Sequence, residues 1–307
     1  MSLEARVREV GLLRERAPVV VLLSGGADSV CLLDLAVRIA GAPAVTALHV
    51  NYGLRDSAEE DETLCRTHCE RLGVPLAVHR PGGPVGNVQS WARDERYAEA
   101  ARLAGARDAD VAAGHTASDQ VETVLYRLAA SPGRRALLGM RERDGRLVRP
   151  LLGVWREETE AWCAGAGLPW REDPSNASDG YARNRARHRL VPALRELHPA
   201  AERNVLRTLE LLRDEAAVLD AAVAAALEAA GSPPAVERLR GLPPALARLA
   251  VQRLADAAGG PAVGHRTEEI LALADHGALD VGGGLRAQVE HGHLAFVPTP
   301  PRVRARA

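Results

Sequence analysis

An apolar run, Pro18 to Leu23 (PVVVLL), leads directly into Ser24-Gly25-Gly26-Ala27-Asp28-Ser29, and that loop into a helical pattern lasting to about Ile39. A short continuous apolar run of this kind reads as a strand buried on both faces. A strand, a glycine turn and a helix in succession are the opening of a βαβ unit. The pattern recurs. Val45 to Val50 (VTALHV) reads as a second strand, and Ser57 with Glu60 as the capping box of a helix reaching Leu72. Leu76 to His79 is a third strand, Pro81 to Gly86 a loop, and Val88 to about Leu103 a helix. Asp110 to Ala113 is a fourth strand, followed by a helix over Ala117 to Ala129, and Leu147 to Leu151 is a candidate fifth. Strands separated by helices predict an α/β fold with a parallel sheet.

The pattern changes after Leu151. Arg156 to Gly165 reads as a helix and Glu172-Asp173-Pro174-Ser175-Asn176 as a turn-rich loop. Ala200 to Ala230 is a long Ala/Leu helix, and Leu242 to Ala258 and His265 to Ala274 are two more. The stretch from Asp280 to Val297 alternates around Gly282-Gly283-Gly284 and suggests a small hairpin. The expected division is residues 1–200 as a parallel-sheet catalytic domain and 201–307 as a mainly helical domain.

In a parallel sheet the Ser24–Ser29 loop lies at the carboxyl edge, where ligands bind. Gly25 and Gly26 allow a tight turn and close approach to a ligand. The free N–H groups and dipole of the following helix favour an anion, and Ser24 and Ser29 add hydroxyls. The result is a phosphate cradle. It is not a Walker A loop, which requires Lys; all 39 basic residues here are Arg. A carboxylate in such a cradle would repel phosphate unless Mg²⁺ stood between them, so Asp28 is the candidate metal holder. A plain Gly-Gly turn with a Ser/Asp cap is the alternative.

Asp119 and Glu122, three apart at a helix start, share a face. They are candidates to hold Mg²⁺ or an amine, or simply to stabilise the helix dipole. From Tyr181 to Arg207 there are seven Arg against Glu196 and Glu202, which suits an RNA backbone or pyrophosphate and also a solvated helix face. Four cysteines (Cys31, Cys65, Cys69 and Cys163) form no C-x-x-C pair and read as reduced and structural. No apolar run approaches the ~20 residues of a membrane span. Met1 to Ala17 lacks the apolar core of a secretory signal, so a cytoplasmic protein is expected.

Ser24-Gly25-Gly26-Ala27-Asp28-Ser29 resembles the SGGxDS signature of the PP-loop (N-type ATP pyrophosphatase) superfamily. Further segments are similar to its lysidine synthase branch: His49-Val50-Asn51-Tyr52-Gly53-Leu54-Arg55, Arg93 to Tyr97, Gly114 to Thr123, Arg149-Pro150-Leu151-Leu152, Glu172 to Asn176, and Arg183-Asn184-Arg185. They occur in the family's order between roughly residues 18 and 200. Tyr52 stands where the family usually has His, Thr116 replaces the second His of its HHxDDQ segment, and Ser118 replaces the first Asp. Ala130 to Arg135 departs from its R-G-x-G. Thr116 and Ser118 are therefore doubtful as catalytic groups.

The resemblance implies a Rossmann-like fold, ATP and Mg²⁺ as cofactors, and tRNA and L-lysine as partners. The implied reaction adenylates the wobble cytidine of a tRNA(Ile) with a CAU anticodon, and lysine then displaces AMP at C2. The implied catalytic residues are Asp28, Asp119 and Arg183. Ser24 to Ser29, His49, Asn51, Arg96 and His115 would contact ATP, and Asp119, Glu122, Arg183 and Arg185 the other substrates. The alternatives are another tRNA-modifying member such as a thiolase, or a non-catalytic nucleotide-binding module. Thiolases generally use paired cysteines or an iron–sulfur cluster. Oligomeric state stays open, a homodimer included.

Overall fold

The computed structural model describes residues 1–54, 58–84, 86–130, 134–172, 180 and 182–300. The expected Ser57 cap, the Ala130 to Arg135 departure in part, and the Asp173–Asn176 turn lie outside these residues. Two compact units divide at Leu212 and Arg213, inside the long helix rather than before it.

The first unit begins with a helix absent from the sequence reading, α1 (Leu3–Val10), then β1 (Val19–Leu22) and α2 (Ala27–Ala40). There follow β2 (Val45–Val50), α3 (Ala58–Leu72), β3 (Leu76–His79), α4 (Val88–Arg107), β4 (Asp110–Ala112) and α5 (Ala117–Ala130). A short α6 (Arg134–Leu137) leads to β5 (Arg143–Asp144), β6 (Leu147–Val148) and α7 (Arg156–Gly165). The Arg-rich stretch is helical: α8 (Ala182–Arg185), a π-helical turn over Ala186–Leu190, and α9 (Val191–Leu197). The long helix is α10 (Ala201–Ala230).

Six strands order as β3-β2-β1-β4-β6-β5, all parallel except the β5–β6 pair. The candidate fifth strand is thus only two residues long, and an antiparallel edge strand precedes it. β1 is buried throughout, as its unbroken apolar run requires. Its side chains alternate between two cores. Val19, Val21 and Leu23 pack with α2 and with Cys163 and Leu168, whereas Val20 and Leu22 pack with Ala100 and Ala104 of α4. Strand order runs one way from β1 to β3 and the other way from β1 to β6. The reversal at β1 and β4 opens a crevice beyond their carboxyl ends, the place where such sheets bind ligands.

The second unit contains α11 (Val236–Arg240), α12 (Pro244–Ala257), α13 (Thr267–Leu271) and strands β7 (Ala278–Gly282), β8 (Leu285–Glu290) and β9 (His293–Pro298). The expected hairpin is a three-stranded antiparallel sheet, ordered β7-β8-β9. Two tight turns make the extra strand possible: Gly282 to Gly284 all have positive φ, as do His291 and Gly292. Ala250, Val251, Ile270, Ala287 and Leu294 form its core. No helix among the described residues is long and apolar enough to cross a membrane.

Candidate active site

The Ser24–Ser29 loop leaves β1 at the crevice. Gly25 has φ +89°, a left-handed conformation that L side chains rarely adopt. Gly26 caps α2 without a side-chain hydrogen bond, so the N–H groups of the first turn stay available to a ligand. The loop is braced from within. Ser29 Oγ donates to the carbonyl of Gly26 at 2.9 Å and accepts from the amide and the hydroxyl of Ser24, each at 3.1 Å. Across the crevice, Gly114 follows β4. A Cβ there would stand 3.1 Å from the backbone carbon and oxygen of Asp28, so only glycine lets the two loops meet this closely.

These loops line a cavity of about 840 Å³ that also receives Tyr52, Arg96, His115, Asp119 and Arg156. Asp28 faces it with a carboxyl group pushed up to about 6, chiefly by burial, while the hydrogen bond from Thr159 and the charge of Arg156 oppose the rise. Thr159 Oγ1 donates to Asp28 Oδ1, and Arg156 Nε lies 3.6 Å from Oδ2. Among the described residues no three His, Cys, Asp or Glu side chains converge as a metal site. A resident cation held by protein alone does not fit this donor set. Mg²⁺ arriving with a nucleotide does, since it usually keeps waters and binds through one or two carboxylates plus phosphates.

Asp119 and Glu122 share the inner face of α5, as their spacing implied, but three guanidinium groups already meet them. Arg156 reaches Asp119 at 2.9 Å and Glu122 at 3.3 Å. Arg183 reaches them at 3.4 and 3.2 Å, and Arg187 at 3.7 and 2.7 Å. The other oxygen of Asp119 closes a capping box, accepting from the amide of Thr116 at 2.8 Å while Thr116 Oγ1 accepts from the amide of Asp119 at 3.4 Å. Burial alone would raise the Asp119 carboxyl; Arg183 and Arg156 outweigh it and hold the group below the usual carboxylate range. Such a carboxylate is a good anchor for a cation and a poor proton acceptor. Thr116 and Ser118 have structural partners: Thr116 caps α5, and Ser118 Oγ accepts from the amide of Arg156 at 3.3 Å.

Other expectations need correction. His49 and Asn51 do not line the cavity. Strand alternation sends Leu48, Val50 and Tyr52 toward it and turns His49 and Asn51 the other way. His49 Nδ1 lies 2.9 Å from the carbonyl of Leu23, and Asn51 donates to Glu62 at 3.1 Å. Both brace the sheet edge. Arg185 is exposed and donates to the carbonyl of Gly180 at 3.1 Å, outside the cavity. Arg183 and Arg187, four apart, point inward, and a residue midway between them points out. Arg187 is therefore part of the site's ion cluster and not an RNA-facing surface charge.

Arg96 does line the cavity. Its guanidinium lies over the Tyr97 ring, 5.3 Å from the centroid, and its Nε is buried without a hydrogen-bond partner. It pairs with neither Asp94 nor Glu95; the latter meets His79. His115 is half-buried, with its Nδ1 buried and unpartnered, and desolvation lowers its pKa to about 4, so the imidazole is neutral at pH 7. Of the tryptophans, Trp162 donates to Asp34 at 2.9 Å, and Trp170 packs on the core and lines the cavity.

Arg156, Thr159 and Arg171 escaped the sequence reading. Arg156 left one trace: a cation in the first turn of a helix opposes the dipole and needs a reason to be there. Arg171 donates its amide to the carbonyl of Gly25 at 3.0 Å and clamps the loop through Asp61 at 2.9 Å.

A family model described as the PP-loop domain matches residues 2–194. A tRNA(Ile)-lysidine synthase from Symbiobacterium thermophilum is 36% identical, covering 99% of this chain and 70% of that protein. Proteins of the same name from Pseudomonas fluorescens and Thermus thermophilus are 38% and 37% identical, covering 83% and 95% of this chain. The chain spans 59% of the length of each of those two, less than two thirds. Among solved structures, a U34-tRNA thiolase from Methanococcus maripaludis superposes with a TM-score of 0.57 at 19% identity, over 68% of this chain and 78% of that one, a likeness of fold alone.

Proposed function

The chain belongs to the PP-loop family, within the group named tRNA(Ile)-lysidine synthase, and on that premise we propose that it ligates L-lysine to C2 of the wobble cytidine of a tRNA(Ile) with a CAU anticodon, consuming ATP and releasing AMP and pyrophosphate. The observation that carries the proposal is one cavity lined both by the phosphate loop, through Ser24 and Gly26 to Ser29, and by Asp119 of α5. Two steps, attack on the α-phosphate and attack by an amine on the activated base, can then share one set of walls.

Mg²⁺, when bound with ATP, would be held by Asp28 and supply charge neutralisation at the phosphates. The loop amides and the α2 N-terminus hold the phosphates. Arg96, Arg156 and Arg187 line the same space and offset negative charge that develops as pyrophosphate leaves. Asp119 and Glu122 form the cation subsite for the lysine ammonium, which must exchange with a guanidinium already there. The arginines keep two buried carboxylates compensated when no amine is present. Because Asp119 is held ionised, its part is to hold and aim the ammonium. The proton leaves through another acceptor.

The exposed arginines of α8 to α9 and the second unit contact tRNA, in the cytoplasm. A thiolase reading finds no support at the cysteines. All four are buried, and burial pushes the Cys65 and Cys69 thiols up to about 12 and about 11, away from nucleophilic thiolate.

Mass spectrometry of tRNA(Ile) transcript after incubation with ATP, Mg²⁺ and isotopically labelled lysine tests the proposal. A cytidine bearing labelled lysine is expected. ATP consumption with no modified cytidine would reject the lysidine reading while leaving the PP-loop assignment intact.

A further inference from the structure

Arg93, Arg127, Arg141, Arg149 and Arg183 line a second cavity, of about 550 Å³, on the other side of His115, which borders both spaces. Its charge is unbalanced. Asp144 is the one acidic residue in its wall, and among the described residues no carboxylate comes within ion-pair distance of Arg93, Arg127, Arg141 or Arg149. The contrast with Arg156, Arg183 and Arg187, which share Asp119 and Glu122, is sharp.

Arg149 is 6% exposed, yet its Nε has no hydrogen-bond partner; the side chain is fixed by Nη1 donating to the carbonyl of Arg141 at 2.6 Å. His115 Nδ1 and Tyr97 Oη are buried and unpartnered beside it. Arg93 stacks on the Tyr97 ring at 5.1 Å. A buried guanidinium without an anion is costly, and unpartnered polar atoms packed beside a cavity are groups that a ligand or water can satisfy. The ligand complementary to an excess of guanidinium donors over a single carboxylate is an oxyanion, for which Arg has the matching geometry.

We propose that this second cavity is an oxyanion-binding site, with Arg149 and Arg93 as its principal donors and His115 as the wall shared with the nucleotide cavity. Its place beside the reacting centre suits a substrate's oxyanion. Under the function proposed above the source is either a phosphodiester flanking the target nucleotide or the carboxylate of the amine substrate. The assignment of the source rests on that reading; the oxyanion site itself does not.

The experiment is calorimetric titration of the full chain with inorganic phosphate, the nucleotide cavity first filled with a non-hydrolysable ATP analogue and Mg²⁺. One phosphate is expected to bind. Arg149→Gln and, at an exposed position that does not threaten folding, Arg93→Gln should each weaken binding roughly tenfold or more, the usual consequence of losing one charge-assisted hydrogen bond. Two competitors then identify the source. Displacement of phosphate by an anticodon stem-loop RNA but not by lysine assigns a phosphodiester. Displacement by lysine but not by its decarboxylated analogue, cadaverine, assigns a carboxylate. An adventitious ion only, with phosphate binding unchanged in both variants, overturns the site; displacement by neither competitor overturns both assigned sources. A chain that binds phosphate in this way but forms no lysidine would sink the functional reading and keep the site.

Discussion

Arg187 donates through Nε to Glu122 at 2.7 Å, joining the π-helical turn after α8 to the first turns of α5. Glu122 is 2% exposed. A carboxylate so buried depends on its partners, and Arg156 and Arg183 remain when Arg187 is removed. Arg187→Gln should therefore cost about 1–3 kcal/mol, less than breaking an isolated buried pair. Urea denaturation checks it. A loss below ~0.5 kcal/mol would show that the other two arginines suffice.

Asp28 should display a conflict between stability and function. Its folded pKa, about 6, lies above the ordinary 3.8, so the folded state binds the proton more tightly. Stability then falls as pH rises through the window from 3.8 to about 6, because ionising a buried carboxyl is penalised. Asp28→Asn removes that penalty and can still accept from Thr159. The variant is expected to be more stable than the parent at pH 7 by about 1–3 kcal/mol, with the difference vanishing near pH 4. It should also lose ATP–pyrophosphate exchange. Equal stabilities at pH 7 would refute the burial account of Asp28.

Gly114→Ala places a methyl group against backbone, not against a side chain that can swing away. The β4 loop must move off Asp28, or the start of α2 must shift. An overpacking cost of about 1–3 kcal/mol is expected, with a raised KM for ATP. An unchanged KM would mean that the two loops do not set the nucleotide cavity.

Asp119→Asn keeps a helix-capping side chain but halves the charge offered to an ammonium. Lysine KM should rise at least about tenfold, as expected when a charge-assisted contact is lost, while ATP–pyrophosphate exchange with tRNA persists. Loss of kcat alone, with lysine KM unaltered, would instead make Asp119 the proton acceptor that its low pKa argues against.

Much of the first unit was legible because its signals are local. A short unbroken apolar run that ends at a glycine turn reads as a strand covered on both faces, and Val45–Val50 and Leu76–His79 appear with the expected bounds. The extra strand near the end was harder to read: β7 begins before the glycine cluster and carries the mixed pattern of an edge strand. At the site, the phosphate loop, Asp28, Asp119, Glu122, Arg96, His115 and Arg183 were all identifiable as residues. Their states were not. Nothing local tells that Arg156 will reach Asp119 across 37 positions, or that Thr159 will bond Asp28 across 131.

By itself the sequence determined the βαβ order, the phosphate loop at a strand's carboxyl end, and the helix face shared by Asp119 and Glu122, because strand and helix periods follow from backbone geometry. Tertiary structure alone decided which side chains are in the cavity. It turned His49, Asn51 and Arg185 away, brought in Arg156, Arg171 and Arg187, and set Asp119 against guanidinium groups that hold it ionised. Those outcomes depend on charges brought together from distant segments and removed from water, where burial and neighbouring guanidinium groups set the energies.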